Sequence, residues 1–219
     1  MRLTVLRRHK KPLLLLLLAA ICISYSLIYA VQRHEATKPR PLPNPHTVVR
    51  TATDHPSETP IDTAMESYAV AADKPRLLSL PTIGAKGFVQ QVAVDTKTGQ
   101  MAVPTNVYMA GWYANSVKPG DEGLSIIDGH VSGYYSPGVF EKLSKLRAGD
   151  RFSVEFGDSS VRTFVVVSNT NYAVDEVSKH LFSKDPGIQA QLNLITCGGR
   201  YDKAHHQYEQ RVLVVARRV

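Results

Sequence analysis

L-N-L-I-T-C-G-G at residues 192–199, a polar segment at 200–207, then Y-E-Q-R-V-L-V-V-A at 208–216 form the stretch around which the chain is organised. The apolar, β-branched run ending in one cysteine and two glycines reads as a buried strand that delivers a thiol to the edge of a sheet. Cys197 stands at that end. The polar segment returns the chain, and residues 212–215 supply a second buried strand with Arg211 at its start. Two neighbouring strands therefore bring a thiol and a guanidinium close together.

Upstream, the chain reads as short strands separated by turns. Residues 77–80 and 88–94 are strands divided by Pro81, Gly84 and Gly87, and D-T-K-T-G-Q at 95–100 is a hairpin loop. Residues 107–113 lead through the turn at 115–123 into an apolar strand, 124–127, that ends in Asp128-Gly129-His130. That is the second strand to end in a reactive residue. Val139, Phe140, Leu143 and Leu146 lie at helical spacing and predict one to two turns of helix. Residues 152–156 and 161–167 are strands joined by a turn at 157–160, and 175–182 is a short helix stopped before Asp185-Pro186-Gly187. Many short strands with two or three short helices predict a mainly β fold, a closed barrel.

The chain has 219 residues, 43% of them apolar, enough for one domain of ordinary size with attachments. Its net charge of +7 is spread along the chain, with ten basic against six acidic residues before residue 75 and sixteen against thirteen after it. The folded part is only mildly basic, which argues against a nucleic-acid partner. Residues 1–11 carry five Lys or Arg, and residues 12–31 carry no group charged at pH 7. At 1.5 Å per residue such a helix spans about 30 Å, the thickness of a bilayer's hydrocarbon core. The basic flank predicts a cytoplasmic amino terminus and an extracytoplasmic remainder at the plasma membrane. Ile28-Tyr29-Ala30 is a poor cleavage site for a signal peptide, so an uncleaved single-pass anchor is the expectation. Residues 32–74, with six prolines among polar residues, read as a linker, within which 63–72 has helical character and is a candidate to dock on the domain or cover its cleft. The folded domain is expected at 75–219.

The two cysteines, Cys22 in the anchor and Cys197 in the domain, cannot meet, so Cys197 is a lone thiol. A lone cysteine at the end of an apolar strand is often only a small buried hydrophobe. Here a histidine and an arginine end neighbouring strands, and Gly198 and Gly199 remove side chains beside it. Thiol catalysis needs a nucleophile, a proton carrier and an oxyanion donor, and Cys197, His130 and Arg211 supply one of each. No cofactor is implied. His205, His206 and Asp202 lack a third or fourth partner at usable spacing, so no metal site is expected.

The segments L-I-T-C-G-G and Y-E-Q-R-V-L-V-V-A, together with I-D-G-H-V at 127–131, resemble the cysteine, arginine and histidine segments of sortases, the cysteine transpeptidases of bacterial surfaces. P-G-D-E-G at 119–123, G-V-F-E-K-L at 138–143 and L-R-A-G-D at 146–150 are similar to the class F branch. The resemblance implies an eight-stranded barrel, catalytic roles for His130, Cys197 and Arg211, and substrate contacts at Thr196 and Gly198. It also implies surface proteins bearing an L-P-x-T-G-like signal as substrates, with a cell-wall peptide amine or a pilin lysine as acceptor. The chain departs from the pattern at Leu194, where the family's first threonine stands, and at 131–133, where an acid is common. A peptidase that only hydrolyses and a barrel that only binds are the alternatives.

Overall fold

The computed structural model describes residues 28, 56–61, 68–95 and 99–219. The chain forms two compact units, Met1–Pro39 and Arg40–Val219. In the first, only Ile28 is described, in a helix. The expected membrane span at 12–31 otherwise lies outside the described residues, among which no helix is long and apolar enough to cross a membrane.

The second unit is built on β1 (Pro75–Leu80), β2 (Ala85–Val92), β3 (Ala110–Tyr113), β4 (Gly123–Gly129), β5 (Arg151–Phe156), β6 (Val161–Ala173), a short helix α1 (Val177–Leu181), β7 (Ala190–Asp202) and β8 (Gln207–Arg218). The eight strands close into a barrel in the order β1-β2-β3-β4-β7-β8-β6-β5. β2–β3 and β4–β7 run parallel and the other pairs antiparallel. The interior is filled by Leu78, Leu80, Ile127, Leu192, Leu194, Val212, Val214 and their neighbours.

The wall formed by β3, β4, β7 and β8 is apolar on its outer face as well. There Tyr113, Leu124, Ile126, Ile195 and Leu213 pack under Val177, Leu181 and Phe182 of α1 and its end, with Met101. β4 and the first part of β7 are buried on both faces, so Ser125, Asp128, Gln191 and Asn193 are buried along with the apolar residues. Each fully buried Leu or Ile contributes about 1.5–3 kcal/mol. Two polar residues of this face, Gln191 and Asn193, are buried and hydrogen-bonded. Gln191 accepts the Asp185 N–H (2.7 Å) and donates to Ser183 O (3.1 Å) and to Asn193 Oδ1 (2.9 Å), and Asn193 donates to Leu181 O (2.8 Å). They tie the end of α1 to β7.

Three expectations differ from the fold. Residues 138–146 form successive turns and a 3-10 turn (Leu143–Lys145), with main-chain bonds from Glu141 to Gly138, Leu143 to Phe140, Lys145 to Lys142 and Leu146 to Leu143, all spaced by three. An α-helix is prevented because the segment starts pinned to β4: Phe140 donates to His130 O (3.0 Å), and a β-carbon at Gly138 would overlap that same oxygen. β3 begins at Ala110, later than the expected 107. β7 continues to Asp202 across a register shift between Gly198 and Tyr201, with Gly199 at φ +73°, so the return loop shrinks to 203–206. The glycine makes the bulge affordable to the backbone.

Part of the segment before the barrel also packs on it. Tyr68 stacks on Phe88 with ring centroids 4.6 Å apart and donates to Val89 O (3.2 Å), and Ile61 joins Leu77, Phe88 and Met109. Within the stretch 63–72 that was a candidate to dock, residues 68–72 are described.

Candidate active site

Register fixes the site. Side chains at alternate positions share a face, and β7 pairs Ile195 with Asp128 of β4 and with Leu213 of β8, while Cys197 pairs with Arg211. Continuing the parallel β4 ladder by two residues sets His130 beside Cys197. His130, Cys197 and Arg211 thus form one row on the outer face, one row beyond Asp128, Ile195 and Leu213. The row lies where the β4 ladder ends and a cleft of about 1120 Å³ opens over it.

His130 and Arg211 are each held by main chain. His130, 7% exposed, places Nε2 2.8 Å from Pro104 O, where the ring donates, leaving Nδ1 as the second proton site. Burial pushes the proton affinity of His130 down, and the Pro104 carbonyl partly restores it. Arg211, only 2% exposed, donates from Nη1 to Tyr208 O (3.0 Å) and Gln210 O (2.8 Å). Its Nε is buried with no hydrogen-bond partner. A buried donor left unmatched costs about 1–3 kcal/mol, and an anion arriving at that edge recovers it. Cys197 is buried at 9% exposure, on the cleft floor between the two.

Thr196 and Gly198, expected to touch substrate, lie on the barrel's inner face. Thr196 Oγ1 donates to Gly129 O at 2.7 Å and so ties the end of β4 to β7, next to the histidine. A β-carbon at Gly198 would come within 2.7 Å of Val212 Cγ2, and one at Gly199 within 3.1 Å of Gln210 Cγ. The glycine pair lets the two strands approach and shift register.

The rim of the cleft uses residues that sequence reading did not single out. On one side the loop 131–137 is closed by a Ser132–Pro137 bridge and carries exposed Tyr134 and Tyr135. Residues 56–61 lie against it. Ser57 pairs with Asn106, and Glu58 accepts the main-chain N–H groups of Tyr134 and Tyr135. A β-carbon at Gly133 would fall 2.6 Å from the Glu58 carboxyl carbon. Burial raises the Glu58 proton affinity, but the bonds from Tyr134, Tyr135 and Ser136 outweigh it and hold the group below its ordinary value. On the other side stands the β7–β8 hairpin tip, where Tyr208 Oη and Ser132 Oγ, 2.9 Å apart, join the two rims. At that tip His205 pairs with Asp202 at 2.6 Å, and among the described residues no three potential metal ligands gather.

Comparisons with known proteins agree on the family. The model of the Sortase domain family matches residues 78–219. Among solved structures, a lid mutant of sortase A from Corynebacterium diphtheriae is 22% identical, covering 68% of this chain and 73% of its own, with a TM-score of 0.51. The pilus-related sortase C of Group B Streptococcus is 20% identical, covering 80% and 79%, with a TM-score of 0.52. Sortase C1 from Streptococcus agalactiae is 23% identical, covering 68% and 69%, with a TM-score of 0.50. The search of curated proteins returns no match. A family model that spans the barrel from β1 through the thiol and guanidinium strands identifies the chain as a member of the sortase family, a cysteine transpeptidase.

Proposed function

We propose that this transpeptidase is anchored at the plasma membrane through residues 12–31, with the domain outside. It cleaves an L-P-x-T-G-like sorting signal on surface proteins and passes the acyl part to an amine, either of a cell-wall peptide or of a pilin lysine. The class F resemblance at 119–123, 138–143 and 146–150 supports that branch. The observation that carries the chemistry is the row itself: thiol, imidazole and guanidinium side by side under a cleft, with the Arg211 Nε edge unmatched.

In this reading the Cys197 thiolate attacks the carbonyl carbon of the scissile peptide bond. The electron pair moves to the oxygen, where Arg211 donates to the developing oxyanion, a contribution of about 3–4 kcal/mol by analogy with single oxyanion-hole donors. As the tetrahedral intermediate collapses, the C–N bond breaks and the His130 imidazolium gives its proton to the leaving amine. A thioester remains on Sγ. The acceptor amine then attacks it, neutral His130 takes the amine proton, and thiolate leaves.

The test is to incubate the protein with a panel of L-P-x-T-G variant peptides, with and without glycine amines, and to read products by mass spectrometry. A peptide–amine product absent from Cys197→Ala supports the reading. Hydrolysis alone, with every acceptor present, replaces it with a peptidase.

A further inference from the structure

Asp128 is the group that the mechanism leaves unused. It is 1% exposed, and neither carboxyl oxygen has a partner outside its own main chain. Its row is otherwise apolar, with Gly111 opposite it on β3 and Ile195 and Leu213 beyond. Gly111 makes the space: a β-carbon there would overlap Asp128 Oδ1 and lie 3.0 Å from Pro104 Cγ. The carboxyl thus sits beside the proline whose carbonyl receives the His130 ring N–H. Asp128 and His130, two residues apart on one face, are separated by about 7 Å along the strand. An unpartnered buried carboxyl is costly, so its presence calls for an explanation.

Charge counting says what it serves. Arg211 is a buried cation with no acidic partner among the described residues. With Cys197 as thiol, His130 neutral and Asp128 protonated, the buried site carries +1. With thiolate and imidazolium it still carries +1 unless a second anion is present. Among the described residues of that buried face, only Asp128 supplies one. Of the other groups facing the pair, Tyr113 on β3 is a phenol pushed further toward its neutral form by burial. Glu58 and Glu141 line the cleft rim with Lys203 and His206, and α1 turns Lys179 and His180 to solvent.

We propose that Asp128 is a positioning residue that acts on His130: as a carboxylate in the adjacent row it supplies the fourth charge that holds the proton on the imidazole while Cys197 is a thiolate and Arg211 a guanidinium. Of the two protons that Asp128 and Cys197 hold in the resting site, one ends on His130 and one leaves through the cleft, and the site passes from +1 to neutral. Burial alone favours the protonated acid at Asp128 and the neutral ring at His130, so ionisation of each favours ionisation of the other. The inference rests on the catalytic reading of the row given above.

The experiment uses the full chain in detergent, parent and Asp128→Asn, which keeps the shape and removes the charge. His130 is titrated by NMR of its labelled ring, and kcat/KM is followed against pH with the best peptide and amine. Unit charges about 7 Å apart at an effective dielectric of about 20 shift each other by about 1.7 pH units. The variant is expected to lose the imidazolium proton, and the alkaline limb of kcat/KM, at a pH lower by roughly that amount. An unmoved His130 titration, or activity lowered equally at every pH, overturns the proposal. If the variant does not fold, the Asp128 carboxyl carbon of the parent is read instead. Titration in step with His130 supports the proposal, and titration at the ordinary carboxylate pH overturns it. Should every peptide fail to turn over, the catalytic reading of the row fails, and the ring titration alone decides for or against the coupling.

Discussion

The floor and the rim of the cleft are built differently. On the floor, His130, Cys197 and Arg211 stand where strand register puts them, and their fixed bonds go to main-chain carbonyls of Pro104, Tyr208 and Gln210. On the rim, residues 56–61, the loop 131–137 and the hairpin tip are joined by side-chain contacts, Glu58 to the stretch 134–136 and Ser132 to Tyr208. A ladder shared by several strands cannot yield at one place, whereas a side-chain clasp opens alone. The difference separates chemistry, set by the ladder, from admission of substrate, set by the clasps.

The comparison is broken most severely on the floor. Cys197→Ala is expected to abolish the thioester, with activity down by at least about 10⁴-fold and the melting temperature within a few degrees of the parent, by intact-mass and thermal measurements. Arg211→Lys keeps a charge but loses the fork that two carbonyls hold, and kcat/KM is expected to fall about 10²–10³-fold. Thr196→Val removes the bond to the buried Gly129 carbonyl and is expected to cost about 0.5–1.5 kcal/mol in urea unfolding, lowering kcat through His130 rather than KM. A change in KM alone would place Thr196 with the rim.

Rim changes should be smaller. Glu58→Gln is expected to raise KM by about two- to tenfold with kcat nearly unchanged, the signature of lost uniform binding. The Glu58 carboxyl is held below its ordinary 4.5, so its clasp is complete above that value and is lost as pH falls through the lower folded value. Binding of an uncleavable peptide to the parent should therefore weaken in acid below pH 4.5, and binding to Glu58→Gln should not. A kcat effect as large as that of Thr196→Val would mean that the arm supports the floor.

The same division explains what was legible in the chain. The floor could be read because buried strands have a pattern, and each of the stretches 124–130 and 192–197 ends in the residue it presents. The barrel followed from strand and turn spacing. Pro104 could not be read, since its contribution is a carbonyl that any residue carries. Glu58 lies in a proline-rich stretch with the composition of a linker, and its partners are main-chain amides of a loop without period. Asp128 stood in plain view beside His130, but nothing in the letters distinguishes a buried carboxyl from a turn acid. The helical spacing of Val139, Phe140, Leu143 and Leu146 correctly marked buried residues, all now in the barrel core. It misjudged the backbone, because contacts spaced by three and four fit a run of turns as well as a helix.

The place of β8 in the barrel has a consequence for when the thiol becomes active. It is the last of the eight strands in chain order, yet it lies between β6 and β7 and supplies Arg211 opposite Cys197. A chain that has folded everything before it holds the cysteine in an open sheet, with no cation alongside. Its pairing with β7 is a local hairpin, whereas its pairing with β6 spans a longer stretch of chain and forms later. In the reading proposed above, thiol and guanidinium can thus meet as soon as that hairpin forms, and the imidazole joins them only when β4 pairs with β7.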